Sequence, residues 1–393
     1  MIDLINKEID NIYNEVVSIR RYLHENPEVG FEVPNTIKYI KEKLIEFGIN
    51  PISCGTGIIA YIGFGDKTIL FRSDIDALEM KEDTSLDFKS KNNCMHACGH
   101  DMHCAILLGV SKILKKYEDK LKIKVKLMFQ PAEEILSGAK EMISCGVLED
   151  VLEAYTIHVL SASSYETGTI ILPKIEVSAP SSDFFEIILK GKKTHGAMPE
   201  KGCDVIIPAS HVVLALDSLQ SKEKPISEEA LITISSINAG KTYNVISDKV
   251  SIKGSMRTFN EEIRNKFKIR IKEIVDGINK SFKCDGKVDY VSGCPTLINS
   301  PELFEKVCNV LNKNYQKNII VNNSEKSSGS EDFSYVSKEV PALLIGLSAG
   351  SASNGYKYPL HNPKVVFDEE ALKYGMEILI LIAFNNKIWW LDY

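Results

Sequence analysis

TILFRSDI (68–75), DMHCAILLGVSKILKKY (101–117) and LKIKVKLMFQ (121–130) follow one another in the first third of the chain. The first and third segments are rich in apolar and β-branched residues, which is typical of strands. The second predicts a helix, with Asp101 as its N-cap. A further strand is predicted over AYTIHV (154–159). Strands that alternate with helices predict an α/β domain with a mostly parallel sheet.

The pattern changes near residue 180. The segments that follow are a strand (184–191), a helix (204–220), two strands (231–238 and 248–258), a helix (260–282) and a strand (287–291). This β-α-β-β-α-β order is typical of a ferredoxin-like unit. We therefore expect a catalytic domain of residues 1–179 and 294–393, interrupted by an inserted α+β domain of residues 180–293.

Composition narrows the class of protein. The 393 residues carry a net charge of -6, whereas a nucleic-acid-binding protein usually has a basic surplus. The first residues, MIDLINKEID, have acids and no basic region followed by an apolar one, so we predict no signal peptide. We predict no membrane-spanning segment, because no apolar run approaches the roughly 20 residues that cross a bilayer. The nine cysteines are an odd number in a long chain, so we expect free thiols and a cytoplasmic location.

Polar side chains cluster where the predicted strands end. They are Asp74 and Asp76, Glu133 and Glu134, and His158; a further cluster, the His96–His103 segment with Cys98, lies just before the predicted helix, and a later His361 stands in LHNPKVVFDEEAL. Ligand sites of open α/β sheets lie at the carboxyl ends of strands, and Cys, His and carboxylate are ligands of zinc and similar ions. These residues therefore predict a metal site, with a capped helix start and buried thiols as the alternative.

Two other motifs are interpreted as accidental. Gly346–Gly350 matches G-x-S-x-G, but turn-forming residues follow where a nucleophile elbow requires a helix. Gly55–Ala60 matches the dinucleotide pattern G-x-G-x-x-A, but the residues after it, IIAYIGFGDKTILFRS, predict a hairpin with a Gly-Asp turn. A serine hydrolase thus remains a third-ranked hypothesis.

A set of ordered motifs carries a family resemblance. They are FRSDIDAL, HACGHDMH, FQPAEE, IHV, GKKTHGAMPE, YNVISD, GSMRTF, SGSEDFSYV and LHNPKVVFDEEAL. Together they resemble the aminoacylase/carboxypeptidase-type binuclear metallohydrolases. The branch they resemble holds hippurate hydrolase, N-acyl-amino-acid amidohydrolases, N-acetyldiaminopimelate deacetylase and indole-acetyl-amino-acid hydrolases. The resemblance implies a zinc-peptidase-like catalytic domain with an inserted lid and dimerisation domain.

The resemblance also implies a role for each matching residue. The metal ligands would be Cys98 (bridging), His100, Glu134, His158 and His361, holding two divalent ions, Mn²⁺ or Zn²⁺, with Ni²⁺ or Co²⁺ as alternatives. Glu133 would be the general base and Asp76 would orient a ligand. His195 would stabilise the oxyanion in the neighbouring subunit's site, and Asn244 and Arg257 would bind the substrate carboxylate. His96, His103 and His211 are interpreted as structural.

The expected protein is a homodimeric amidohydrolase acting on small N-acyl amino acids. A metallo-dipeptidase or aminopeptidase would use the same ligands, and a binding module with a degenerate metal site would lack the base or a ligand. The sequence departs from the family pattern where Glu79 and Ser247 replace common prolines, where Met102 replaces a common glycine, and in the missing proline after His158-Val159. These changes affect the shape of the pocket and leave the proposed ligands and base in place.

Overall fold

The computed structural model describes residues 2–172, 176–321 and 328–385. Among these residues, no helix is long and apolar enough to cross a membrane. The chain divides into two compact units. Unit 1 contains the described residues of 2–178, 298–321 and 332–385, and unit 2 contains Ala179–Leu297 with residues 328–331.

The helices of the described residues are α1 (Ile2–Glu25), α2 (Pro34–Glu46), α3 (His100–Lys116), α4 (Gly138–Ser144), α5 (Ile206–Lys222), α6 (Glu261–Phe282), α7 (Pro301–Asn314), α8 (Ser334–Glu339) and α9 (Ala371–Asn385). The strands are β1 (Ile52–Cys54), β2 (Gly57–Ile62), β3 (Thr68–Asp74), β4 (Lys124–Gln130), β5 (Val151–Leu160), β6 (Ile170–Leu172), β7 (Glu176–Ala179), β8 (Ser181–Lys190), β9 (Thr194–His195), β10 (Ala230–Ala239), β11 (Val245–Ile246), β12 (Lys249–Thr258), β13 (Asp285–Cys294), β14 (Leu297–Asn299), β15 (Ile319–Val321) and β16 (Ala342–Ser348).

Unit 1 is built on an eight-stranded sheet with the order β1-β2-β4-β3-β5-β16-β6-β15. The four central strands β4, β3, β5 and β16 run parallel. Every residue of β3 is buried, as expected for a strand covered on both faces. Helices α1, α3 and α9 pack together, and the apolar segment 378–384 lies within α9, where residues 378–383 are buried. The predicted α/β fold with a mostly parallel sheet is confirmed.

Two local predictions are wrong. Asp101 is not the N-cap of α3: Gly99 is, and Asp101 lies in the first turn. Its carboxylate instead contacts two buried partners, Arg20 Nε and His24 Nδ1, each at 2.8 Å. Strands β2 and β3 do not form a hairpin either, because β4 lies between them and pairs with both. A local turn pattern could not reveal that the wholly buried β3 takes parallel neighbours on both sides.

Unit 2 contains a four-stranded antiparallel sheet with the order β10-β12-β8-β13. Helices α5 and α6 pack against this sheet around a separate apolar core, which includes Phe185, Val212 and Phe267. Helix α6 begins where the Asn260 side chain accepts the N–H groups of Glu262 and Ile263. A second short sheet pairs β9 with β11.

Candidate metal centre

The candidate site lies in unit 1, where the central parallel strands end. Asp76 follows β3, and Glu133 and Glu134 follow β4. His158 is near the end of β5, and His100 is the first residue of α3. Because the carboxyl ends of parallel strands meet at one edge of the sheet, side chains that are far apart in sequence converge there.

The candidate ligands form two groups that share one residue. Cys98, His100 and His158 make the first group, and Cys98, Glu134 and His361 make the second. The Cys98 sulfur lies 3.5 Å from His158 Nε2 and 3.3 Å from His361 Nε2. His361 Nε2 is 3.7 Å from Glu134 Oε2. Ligand atoms of a tetrahedral site with bonds of about 2.0–2.3 Å are separated by about 3.3–3.8 Å, so these spacings suit a metal ion.

Two of the donor atoms are buried without a partner. His100 Nε2 and Glu134 Oε1 have no hydrogen bond within the part of the chain that the structure describes, and they lie 3.8 Å apart. Leaving such atoms unsatisfied costs about 1–3 kcal/mol each. A cation between them would satisfy both, and thiolate, imidazole and carboxylate are suitable donors for Zn²⁺ and related ions. The residues therefore fit a pair of divalent metal ions.

The backbone of the Cys98–His100 segment depends on a glycine. Gly99 has φ +88°, and a Cβ atom there would lie 2.4 Å from the Cγ2 of Val159. The same segment is joined to the later ligand by a hydrogen bond from His361 N–H to the Ala97 carbonyl. His361 itself has φ 62°, a strained conformation for a residue other than glycine. Both features bring the backbone close enough for the two ligand groups to meet at Cys98.

Asp76 organises the loop that carries Glu133. One oxygen of its carboxylate accepts the N–H of Glu133 at 2.9 Å, and the other accepts the N–H of Glu134 at 3.2 Å. Its backbone carbonyl accepts a hydrogen bond from His100 Nδ1 at 2.9 Å. This bond fixes a ring proton on Nδ1, so Nε2 is the nitrogen that can bind a metal ion once it has lost its own proton. Burial lowers the pKa of His100, but the charges of Asp74 and Cys98 raise it well above its usual value overall.

Burial favours the protonated or neutral forms of these groups. It raises the pKa of the Cys98 thiol and the pKa of Glu134. It lowers the pKa of His158 to about 3 and also lowers the pKa of His361. Thiolate, carboxylate and neutral imidazole are the forms that bind metals, so binding is expected to release protons from Cys98 and Glu134.

A buried polar network beside the site is not predicted by the sequence analysis. Its members are Arg72, Asp74, His103, Gln130 and Asp332. The sequence feature that could have indicated this network is Arg72, a cation in the middle of an otherwise apolar strand. If the strand is buried, the guanidinium of Arg72 must be paired. His103, interpreted as structural, uses both ring nitrogens within the protein: Nδ1 with Asp74 and Nε2 with the N–H of Val159.

Three predicted residues lie in unit 2. His195 is in β9, where its partner across the short sheet is Val245, next to Asn244. The Asn244 carbonyl accepts the N–H of Gly196, so His195 and Asn244 are neighbours. Arg257 is near the other end of β12 and donates to Ser330 Oγ at 2.7 Å. From the start of β12 to Arg257 the strand spans roughly 26 Å, so unit 2 of one chain does not bring Arg257 to His195 and Asn244.

The two accidental motifs have no catalytic geometry. Ser348 ends β16, is buried, and donates its hydroxyl proton to the Tyr165 carbonyl. Residues 346–350 are not followed by the helix of a nucleophile elbow. Gly55 lies in the turn between β1 and β2, so a strand and not a helix follows it. The interpretation of both motifs as accidental is confirmed.

An α/β sheet with Cys, His and carboxylate donors at its carboxyl edge is the architecture of a metallohydrolase. Residues 70–385 match the sequence pattern of Peptidase family M20/M25/M40, and the chain belongs to that family.

Curated and solved relatives match nearly the whole chain. It is 35% identical to the N-acetyl-L-cysteine deacetylase of Bacillus subtilis over 93% of this chain and 86% of the relative. It is 32% identical to thermostable carboxypeptidase 1 of Saccharolobus solfataricus over 98% and 100%. A solved Bacillus subtilis protein, described as a dinuclear metal-binding peptidase of the M20 family, superposes with a TM-score of 0.77 at 29% identity, covering 95% and 98%. The resemblance found in the sequence is confirmed.

Proposed function

We propose that this protein is a metal-dependent amidohydrolase that cleaves the amide bond of N-acyl amino acids. The observation that carries this proposal is the pair of ligand groups sharing Cys98, with Glu133 beside them: His100 Nε2 is 3.9 Å from Glu133 Oε2. The names of the deacetylase relatives support an amide substrate. The cysteine content supports a cytoplasmic location.

Each residue of the centre has a proposed role. Cys98, His100, Glu134, His158 and His361 would hold two divalent ions, for which Mn²⁺ and Zn²⁺ are the first candidates, with Cys98 as the residue common to both ligand groups. Bound metals polarise a carbonyl and lower the pKa of water. Glu133 accepts the proton of the attacking water and passes it to the nitrogen of the leaving amine. The C–N bond breaks, and a carboxylic acid and an amino acid result.

Unit 2 is proposed to be the lid and dimerisation domain. The Ala197 N–H donates to His195 Nδ1 at 3.1 Å, which leaves the ring proton on Nε2 for an oxyanion. Asn244 and Arg257 would bind the substrate carboxylate. Since the stretch of β12 from its start to Arg257 is roughly 26 Å long, a single substrate could contact Arg257 from one chain and the His195–Asn244 pair from a second. The proposed active enzyme is therefore a homodimer.

The surface of unit 2 supports self-association. β10 is an edge strand of its sheet, and Leu231 and Ile237 on it are half exposed. On α5, Ile207 and Leu214 are exposed, with Leu214 at 69%. Exposed strand edges and apolar helix faces are common sites of pairing between identical chains.

Mixing two inactive variants tests the shared site. Glu133→Ala and His195→Ala should each be inactive alone, but chains co-expressed or exchanged between dimers should regain activity. Random pairing makes half of the dimers mixed, each with one complete site, so roughly a quarter of wild-type activity is expected. Activity of size-fractionated dimers is the measurement. A mixture as inactive as its components would contradict the proposal that His195 acts in the neighbouring site.

The substrate class is tested with a panel of amides. We expect hydrolysis of N-acetyl, N-benzoyl, N-succinyl or indole-acetyl amino acids in the presence of Mn²⁺ or Zn²⁺, and a much lower kcat/KM for dipeptides with a free amine. Product amino acid is measured by amine derivatisation. Preferential cleavage of dipeptides would favour the alternative function, a metallo-dipeptidase or aminopeptidase, and the carboxypeptidase relative makes N-acylated dipeptides a necessary part of the panel.

A further inference from the structure

A chain of buried polar side chains joins the two sides of the candidate metal centre. At its middle, Arg72 donates from Nε to Gln130 Oε1 at 2.9 Å, from Nη1 to Asp74 at 2.7 Å and from Nη2 to Asp332 at 2.9 Å. All four residues are at most 3% exposed. A buried guanidinium is stable only when its donors are met in this way.

Asp332 connects this chain to Glu133. Its carboxylate also accepts from Gln130 Nε2 at 2.7 Å and from the N–H of Ala139 at 2.9 Å. Its own backbone N–H donates to Glu133 Oε1 at 3.4 Å. Ala139 lies just after the loop that carries Glu133, so the Asp332 side chain holds that loop while its backbone contacts the Glu133 carboxylate.

The opposite end of the chain reaches a candidate ligand. Asp74 accepts a hydrogen bond from His103 Nδ1 at 2.6 Å, and His103 Nε2 accepts the N–H of Val159 at 2.9 Å. His158 precedes Val159 and donates from Nδ1 to the Val159 carbonyl. A continuous series of hydrogen bonds therefore links Glu133 to the end of β5, which carries His158.

We infer that Asp332 is a positioning residue for the hydrolytic reaction, acting through Glu133. It is anchored by Arg72 and Gln130 and sets the place of the Glu133 carboxylate relative to the ligands. This inference rests on the proposed function, because it takes Glu133 as the base. General-base catalysis requires the base within hydrogen-bond reach of the proton that it removes, and a misplacement of 1 Å can cost about 100-fold in rate.

Asp332→Asn tests the inference with almost no change in volume. The carboxylate accepts from Arg72, Gln130 and Ala139, whereas the amide can accept at one oxygen only. Its NH₂ group would face one of these three donors, so the loop that carries Glu133 should shift. We expect kcat to fall between about 10- and 100-fold, with KM within about twofold of wild type, since the change affects a group that acts in the transition state. Bound metal, measured by elemental analysis, should stay at the wild-type ratio.

Glu153→Gln is the matched control. Glu153 is a buried carboxylate of the same unit that is paired with Lys306 at 2.7 Å. It lies near the start of β5, away from the carboxyl ends of the strands where the candidate site is. Both substitutions should lower the melting temperature, because each weakens a buried ion pair. Glu153→Gln should nevertheless leave kcat unchanged. Equal losses of kcat in both variants, or a wild-type kcat for Asp332→Asn, would overturn the inference.

A double-variant cycle separates positioning from a general loss of structure. In a Glu133→Ala background no base remains to be positioned, so Asp332→Asn should lower the residual kcat by less than about twofold more. A full multiplicative loss would overturn the inference. If Asp332→Asn does not fold, Gln130→Met is the second variant: it removes the hydrogen bonds that the amide donates to the Asp332 carboxylate and the oxygen that accepts from Arg72 Nε. It must show the same selective loss of kcat, and a wild-type kcat would overturn the inference.

These outcomes are distinct from failure of the proposed function itself. If Glu133→Ala retained turnover, the assignment of Glu133 as base would be wrong whatever Asp332→Asn does. If Glu133→Ala is inactive and Asp332→Asn is fully active, only the positioning role is wrong.

Discussion

Glu133→Ala is expected to lower kcat by about 100- to 10,000-fold, the range for loss of a positioned general base. The side chain is 6% exposed and lies among the candidate ligands, yet it is outside the two groups that share Cys98. We therefore expect the variant to bind both metal ions and to keep its affinity for substrate. Steady-state kinetics and elemental analysis of the same preparation make the comparison.

Glu141→Ala serves as the control for that substitution. Glu141 lies in α4, shortly after the loop, and its carboxylate accepts from the N–H and hydroxyl of Thr56, not from any residue of the centre. Its kcat should equal that of the wild type. If Glu133→Ala lost its metal as well as its activity, the residue would be a ligand and not the base.

Cys98→Ala is expected to remove both metal ions, because Cys98 is the member common to the two ligand groups. Activity should fall to background. A chelator should do the same to the wild-type protein, and added Mn²⁺ or Zn²⁺ should restore the wild type but not the variant. Elemental analysis should show two ions per wild-type chain and a large loss in the variant.

Cys104→Ala is the matched control for the thiol. Cys104 is buried in α3, the helix that begins two residues after Cys98, and packs in the apolar core of unit 1. It should keep its metal and its kcat, with a modest loss of stability for the missing sulfur. An enzyme that retained full activity after exhaustive chelation would contradict the whole metal hypothesis.

Much of the fold could be predicted because its elements have strong local patterns. The strand at 68–74 and the helix at 100–116 are visible as apolar periodicity, and their alternation predicts the parallel sheet. The position of β4 between β2 and β3 could not be predicted, since β4 begins more than 50 residues after the start of β3 and the residues between β2 and β3 have the pattern of a hairpin turn. Asp101 has the residue type of a cap, but buried cations compete for its carboxylate.

The candidate site could be predicted in composition but not in its supporting contacts. Cys98 and Glu134 could be found from clustering and family motifs. The bonds of Asp332 to Arg72 and Ala139 depend on a contact across 260 and 193 residues of chain, which no local pattern encodes. The separation of Arg257 from His195 likewise depends on the length of β12, not on the motifs that contain them.

The order of the ligands along the chain has a consequence for biosynthesis. Cys98, His100, Glu134 and His158 precede unit 2, whereas His361 follows it. At a synthesis rate of about 5–20 residues per second, His361 emerges some 10–40 s after His158. During that interval the nascent chain contains all three residues of the first ligand group, whereas the second group still lacks His361. The first ion can therefore be captured while the segment between His158 and His361 is still being translated, and the second only after His361 has emerged.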